Sequence, residues 1–130
     1  MNAQILYEDL FNFLKNNSNL TDVDIVIEAP NNSQTAKKAV ICLQLIRDSL
    51  TRSFQCQSFS GIEVGVHFYA PDFKTISGRN NFEERTLQAL KTFTKPGVNF
   101  QLNNRNLPLL VDVLQIYHSM QIYTFYFENS

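Results

Sequence analysis

From Gln4 to Asn16 the apolar residues Leu6, Leu10, Phe13 and Leu14 return every three or four positions, with Tyr7 and Phe11 beside them, while Glu8, Asp9, Asn12 and Lys15 take the other side. That period predicts an amphipathic helix. Asn16-Asn17-Ser18-Asn19 stops it, because Asn tolerates left-handed backbone and bonds its own neighbours. Val23 to Glu28 then sets Val23, Ile25 and Ile27 against Asp24, Val26 and Glu28, the alternation of a short half-buried strand. Past the loop Pro30-Asn31-Asn32-Ser33, Ala39 to Ile46 is apolar enough to be a strand covered on both faces and internal to its sheet.

A polar stretch from Arg47 to Arg52 follows, and Phe54 to Phe59 alternates an aromatic ring or thiol with Gln or Ser. The pattern there leaves a long loop and an additional strand both open. Ile62 to Tyr69 is the clearest strand, with Ile62, Val64, Val66 and Phe68 on one face and Glu63, Gly65, His67 and Tyr69 on the other. Pro71-Asp72 ends it. Asn80 with Glu83 resembles a capping box, and Phe82, Thr86, Ala89, Leu90 and Phe93 recur at helical spacing until Lys95-Pro96-Gly97. Val98 to Leu102, Leu109 to Tyr117 and Met120 to Phe127 read as three strands, parted by Asn103-Asn104 and by a turn at His118-Ser119. The expected class is α+β, a single domain over residues 1–130 with two amphipathic helices packed on one largely antiparallel sheet. Its expected core is Leu10, Phe13, Leu14, Ile25, Val40, Cys42, Val64, Val66, Leu90 and Phe93.

The run Ile122-Tyr123-Thr124-Phe125-Tyr126-Phe127 is apolar or aromatic at every position but one. Such a strand must be covered on both sides. Either it is central in the sheet, or its outer face, near Tyr123 and Phe125, meets another subunit. The second candidate for an interface is the segment Arg47 to Ser60, where Arg47, Asp48 and Arg52 surround Leu50 and Phe54.

Candidate chemistry is sparse. His67 on the outward face of a strand and His118 in a turn read as structural histidines, with no strained nucleophile turn near either. Asp22 with Asp24, and Glu83-Glu84 at the start of the second helix, read as exposed acids, the latter pair complementing the helix dipole. The two cysteines, Cys42 and Cys56, are too few for a disulfide framework or a thiolate metal site. Four scattered glycines make no phosphate-cradling loop. No enzyme activity, metal or cofactor is expected.

Composition narrows this further. Over 130 residues, 44% hydrophobic and 18% charged side chains are those of one folded unit. Eleven basic against twelve acidic residues give a net charge of -1, which offers nucleic acid no general attraction, and Arg105 is the last basic residue before the aromatic C-terminal run. No apolar run approaches the ~20 residues of a membrane span, and Glu8 and Asp9 stand where a signal peptide carries Lys, so a soluble cytoplasmic protein is expected.

The order of elements resembles that of the tail terminator proteins of long-tailed bacteriophages, a family of minor capsid or tail-completion proteins. The resemblance runs through the helix Ile5 to Lys15, the strand Val23 to Glu28 with its loop Pro30-Asn31-Asn32, and the strands Ala39 to Ile46 and Ile62 to Asp72. It continues through the helix Asn81 to Phe93 and the closing strands Leu109 to Tyr117 and Met120 to Glu128. It implies a structural virion protein, assembled in the host cytoplasm as a hexameric ring at the head-proximal end of the tail tube. The implied partners are copies of the chain, the tail tube protein and the head-tail connector protein, with DNA passing through the ring without sequence recognition. A different class with the same size and charge is a small phage-encoded inhibitor that binds a host protein as a monomer or dimer.

Overall fold

The computed structural model describes residues 3–28, 39–54, 57–70, 82–93, 98–105, 109–111 and 116–128. They form helix α1 (Ala3–Lys15), a 3-10 turn (Ser18–Leu20), β1 (Asp24–Val26), β2 (Val40–Phe54), β3 (Gln57–Ala70), helix α2 (Phe82–Lys91), β4 (Val98–Arg105), β5 (Leu109–Val111) and β6 (Ile116–Glu128). All six strands belong to one sheet in the order β1-β2-β3-β6-β4, with β5 also paired to β6. The class is α+β.

Both helices follow their apolar stripes. In α1 the residues Leu6, Leu10 and Leu14 are fully buried, one per turn, while Glu8, Asn12 and Lys15 stay exposed. Lys15 sits at the negative helix end, its ammonium 5.5 Å from the centre of the Phe11 ring. Asn17 then caps the 3-10 turn by accepting a bond from the Asn19 amide at 2.9 Å, and Leu20 enters the core. In α2 the buried positions are Glu83, Thr86, Ala89 and Leu90. Its last turn tightens as the Thr92 amide and hydroxyl both bond the Ala89 carbonyl, at 3.0 and 2.7 Å. Arg85 reaches across to Asp22 with two bonds of 2.7 and 3.2 Å, and to the Asn19 carbonyl at 3.0 Å, fastening α2 to the chain below α1.

The sheet departs from the expected pattern in three places. It is mixed, because β1 pairs parallel to β2, with Ile25 beside Ile41, whereas the other pairs are antiparallel. Residues 27–39 supply the dozen or so residues that a parallel crossover needs. Second, β2 does not stop at Ile46. It runs on to Phe54 and returns through residues 55 and 56 into β3, so the polar stretch and the alternating stretch are two arms of one long hairpin. Register shifts between Leu45 and Arg47 and between Arg47 and Leu50 break the period of two there, which hides the strand from a pattern reading. Third, His118 and Ser119 lie inside β6, not in a turn, whereas Leu109 to Tyr117 is divided between β5 and β6.

The core lies between the helices and one sheet face. Ile41 and Leu43 of β2, Ile62, Val64, Val66 and Phe68 of β3, and Tyr123 and Phe125 of β6 meet the leucines of α1 and Leu90 of α2. Phe93 joins the layers, edge-on to Phe125 at 6.3 Å and tilted against Phe13 at 5.1 Å. Of the expected core, only Phe13 and Phe93 are partly rather than fully buried. Polar groups inside it are paired. The Ser119 hydroxyl donates to the Glu83 carboxylate and the Tyr123 hydroxyl to Gln121 Oε1 at 2.6 Å, so Glu83 is a buried acid, where exposure was expected.

Candidate assembly surface and histidine cluster

β1 pairs only with Val40–Cys42 of β2, so from Leu43 onward β2 has β3 as its single strand neighbour among the described residues. The Tyr7 hydroxyl covers the first step of that edge by donating to the Leu43 carbonyl at 2.6 Å, and burial pushes the phenol above its usual range. Beyond it β2 runs on as an edge strand, while β3 stays paired to β6 from Phe59 to Ala70. Arg47, Asp48, Leu50, Arg52 and Phe54 all lie on β2, so the structure gathers these five candidates on one element. Arg47 and Asp48 are exposed and Leu50 is half-buried beside Gly61. Arg47 stands opposite Glu63 with 4.0 Å between their charged groups, an exposed pair that contributes little to stability. Charges and bulges on a free edge discourage indiscriminate strand pairing.

Tyr123 and Phe125 do not join this surface. Both have 0% exposure and belong to the helix-covered face, so the outer aromatic face proposed for them does not exist. β6 is internal to the sheet, which accounts for its apolar character, and its other face carries His118, Met120, Ile122, Thr124 and Tyr126. There the Tyr126 ring lies close against Gly61. A Cβ at that glycine would come within 2.8 Å of the ring and 2.9 Å of the Phe125 carbonyl.

The same face brings together two histidines that the sequence presents as unrelated. Register sets Tyr69 opposite His118, and His67 opposite Met120 on one side and Cys42 on the other. His67 Nδ1 is 2.9 Å from His118 Nε2, and His67 Nε2 is 2.7 Å from Gln44 Oε1. The Tyr69 and His118 rings stack at 4.4 Å with 4° between their planes. Because Gln44 Oε1 can only accept, His67 carries its proton on Nε2, and His118 Nε2–H donates to the bare Nδ1. Burial holds both imidazoles below their ordinary pKa, and for His67 the neighbouring His118 adds to the effect. Gly65 leaves room for the arrangement, since a Cβ there would lie 3.4 Å from His67 Nε2 and 3.1 Å from Ile46 Cδ1.

Cys42 is a free, buried thiol whose pKa burial raises, whereas Cys56 lies outside the described residues. Among the described residues no group of three or more His, Cys, Asp or Glu is placed to hold a metal, and no helix is long and apolar enough to cross a membrane. An open groove runs past the end of α1, lined by Asp9, Asn12, Phe13, Asn16 and Phe93.

No protein-family model matches the chain, and no curated protein matches it. Among solved structures it is similar to a chain in the virion of a native gene transfer agent particle, with a TM-score of 0.60 and 7% sequence identity. The match covers 95% of each chain, so the likeness is one of whole fold.

Proposed function

We propose that this chain is a structural protein of a phage-like virion and, within that class, a tail terminator. In that role it forms a ring, of six copies as the resemblance implies, sits at the head-proximal end of the tail tube, and joins tube to head connector without catalysing a reaction. The observation that supports the virion reading is the end-to-end fold likeness to a virion chain, covering 95% of both. The edge that β2 presents beyond Cys42 among the described residues supports the ring, because a closed ring of identical subunits needs two different patches of one chain to meet head to tail. The β2 edge would be one of those two patches.

The test is mass in solution by light scattering, with negative-stain microscopy and co-sedimentation with purified tail tubes. Rings with a central opening that bind tube ends are expected. A monomer at high concentration, with no rings and no tube binding, would overturn the proposal in favour of a small inhibitor of a host protein. Absence of catalysis is tested by replacing His67 and His118 together with Gln, which should leave biological function largely intact; function abolished with fold and assembly unchanged would reopen an enzymatic role.

A further inference from the structure

We infer that the β2 edge takes up β4 of a second copy of this chain, so that the sheets of neighbouring subunits join into one. The inference rests on the ring reading and names the two patches that meet. The strands β2, β3, β6 and β4 are each antiparallel to the next, so β2 and β4, at opposite ends of the row, run in opposite directions. A copy set beside the first in the same orientation therefore brings its β4 antiparallel to β2, and the alternation continues across the joint. Contact of one edge with the other is head to tail, as a closed ring requires.

The two edges also stand at the same level of the sheet. Register carries Gln44 through Gly65 and Ile122 to Asn104, Leu45 through Val64 and Tyr123 to Leu102, and Thr51 through Ser60 and Phe127 to Val98. β4 thus spans the height of that part of β2 which lies beyond Leu43, whose carbonyl Tyr7 already holds. β1 stays clear of this height: it pairs with residues 40–42, and Val40 is level with Tyr69, His118 and Leu109 of β5. The edges can therefore meet along their length without one subunit sliding past the other. Among the described residues β4 has β6 as its single strand neighbour, so each edge offers main-chain donors and acceptors, the source of affinity when a strand is added to a sheet. Pairing at equal height sets Leu45 beside Leu102 and Gln44 beside Asn104 of the next copy, apolar with apolar and carboxamide with carboxamide. Ile46, 36% exposed, and the half-buried Leu45 and Leu50 lie along this stretch of β2 and lose further contact with water when a strand arrives. The bulges and charges of β2 turn away an arbitrary strand, whereas the match in height and direction selects this one.

The test is disulfide trapping in a Cys56→Ser background, which leaves the buried Cys42 as the one native thiol. Arg47 and Gln101 share a level, and within one chain three strand spacings, about 14 Å, separate them, too far for a disulfide. Oxidised glutathione added to the assembled Arg47→Cys/Gln101→Cys double variant should give a ladder at multiples of 15.0 kDa on a non-reducing denaturing gel. Either single variant should give none. Amide hydrogen exchange of the wild-type protein, compared by mass spectrometry between assembled and dilute monomeric states, should slow on assembly at residues 44–51 and 98–104, a readout that stands even if the variant does not fold. Rings without the ladder in a folded double variant, or with protection gained elsewhere, overturn the edge pairing and leave the ring reading standing. Dimers trapped by Arg47→Cys alone would show β2 pairing with itself and overturn the inference as well. A monomer at every concentration overturns the ring reading and this inference together.

Discussion

A single side chain, Tyr123, separates a core from a surface here. Its ring is fully buried and its hydroxyl donates to Gln121 Oε1, itself buried. Tyr123→Phe should cost about 1 to 3 kcal/mol in urea unfolding by leaving that acceptor unsatisfied. Tyr123→Asp should go further and unfold the chain, seen as loss of the native circular dichroism spectrum, because a carboxylate there has no compensating charge. The histidine pair makes a second prediction, with a definite sign. Both groups are held below their ordinary value of about 6.5, so above that pH neither state is protonated and stability is constant. As pH falls through about 6.5 the unfolded chain takes up protons that the folded one resists, and stability drops until the folded imidazoles titrate in turn. Urea midpoints measured from about pH 8 to about pH 5 should show that decline, and the double His→Gln variant should lose this part of the slope.

Elements differed in how much their residues announced. The helices were legible because Leu6, Leu10 and Leu14, and then Ala89 and Leu90, repeat with the helical period and owe their burial to that spacing. Leu90→Ala should therefore cost about 2 to 5 kcal/mol in chemical denaturation, from lost burial plus the cavity left under α2. A change below ~1 kcal/mol would mean that α2 is not held by this face. The central part of β3 was equally plain. The distal half of β2 was not, because two register shifts scramble its alternation. Ser119 concealed the continuity of β6 for a different reason: a polar residue signals a turn until its partner, Glu83 on α2, is known. The parallel placement of β1 was hidden because pattern gives a strand's existence and not its direction.

For the whole molecule, the β2 edge and the core should respond differently to the same kind of insult. Leu50 is half-buried on the distal part of β2 and lies outside the core cluster, so Leu50→Asp should leave the circular dichroism spectrum unchanged while sedimentation shows the assembled form lost. Large apolar groups carry most of the affinity at an interface, and an unpaired charge among them is costly. Wild-type assembly in that variant would remove this part of β2 from the interface. The candidate surface was half legible: Arg47, Asp48, Leu50, Arg52 and Phe54 share a strand as neighbours in sequence must, whereas alternation in β6 told two faces apart without telling which one the helices cover. The histidine cluster could not have been found that way. It depends on the pairing of β3 with β6, which joins residues 51 positions apart in the chain.

That pairing also bears on how the protein is made. β6 follows all the other strands in chain order, yet it lies between β3 and β4 in the sheet. As the polypeptide leaves the ribosome, α1, β2 and β3 emerge first, and the leucines of α1 meet only part of the floor they need until Tyr123 and Phe125 arrive. Folding is thereby postponed until β6 has emerged, with slow, non-local strand pairing as its final step. Throughout that interval β3 presents an open edge whose rightful occupant is identical in every copy. On a polysome, where many nascent chains lie close together, a β6 released from one chain can enter the sheet of its neighbour, so strand exchange is the characteristic hazard of this topology.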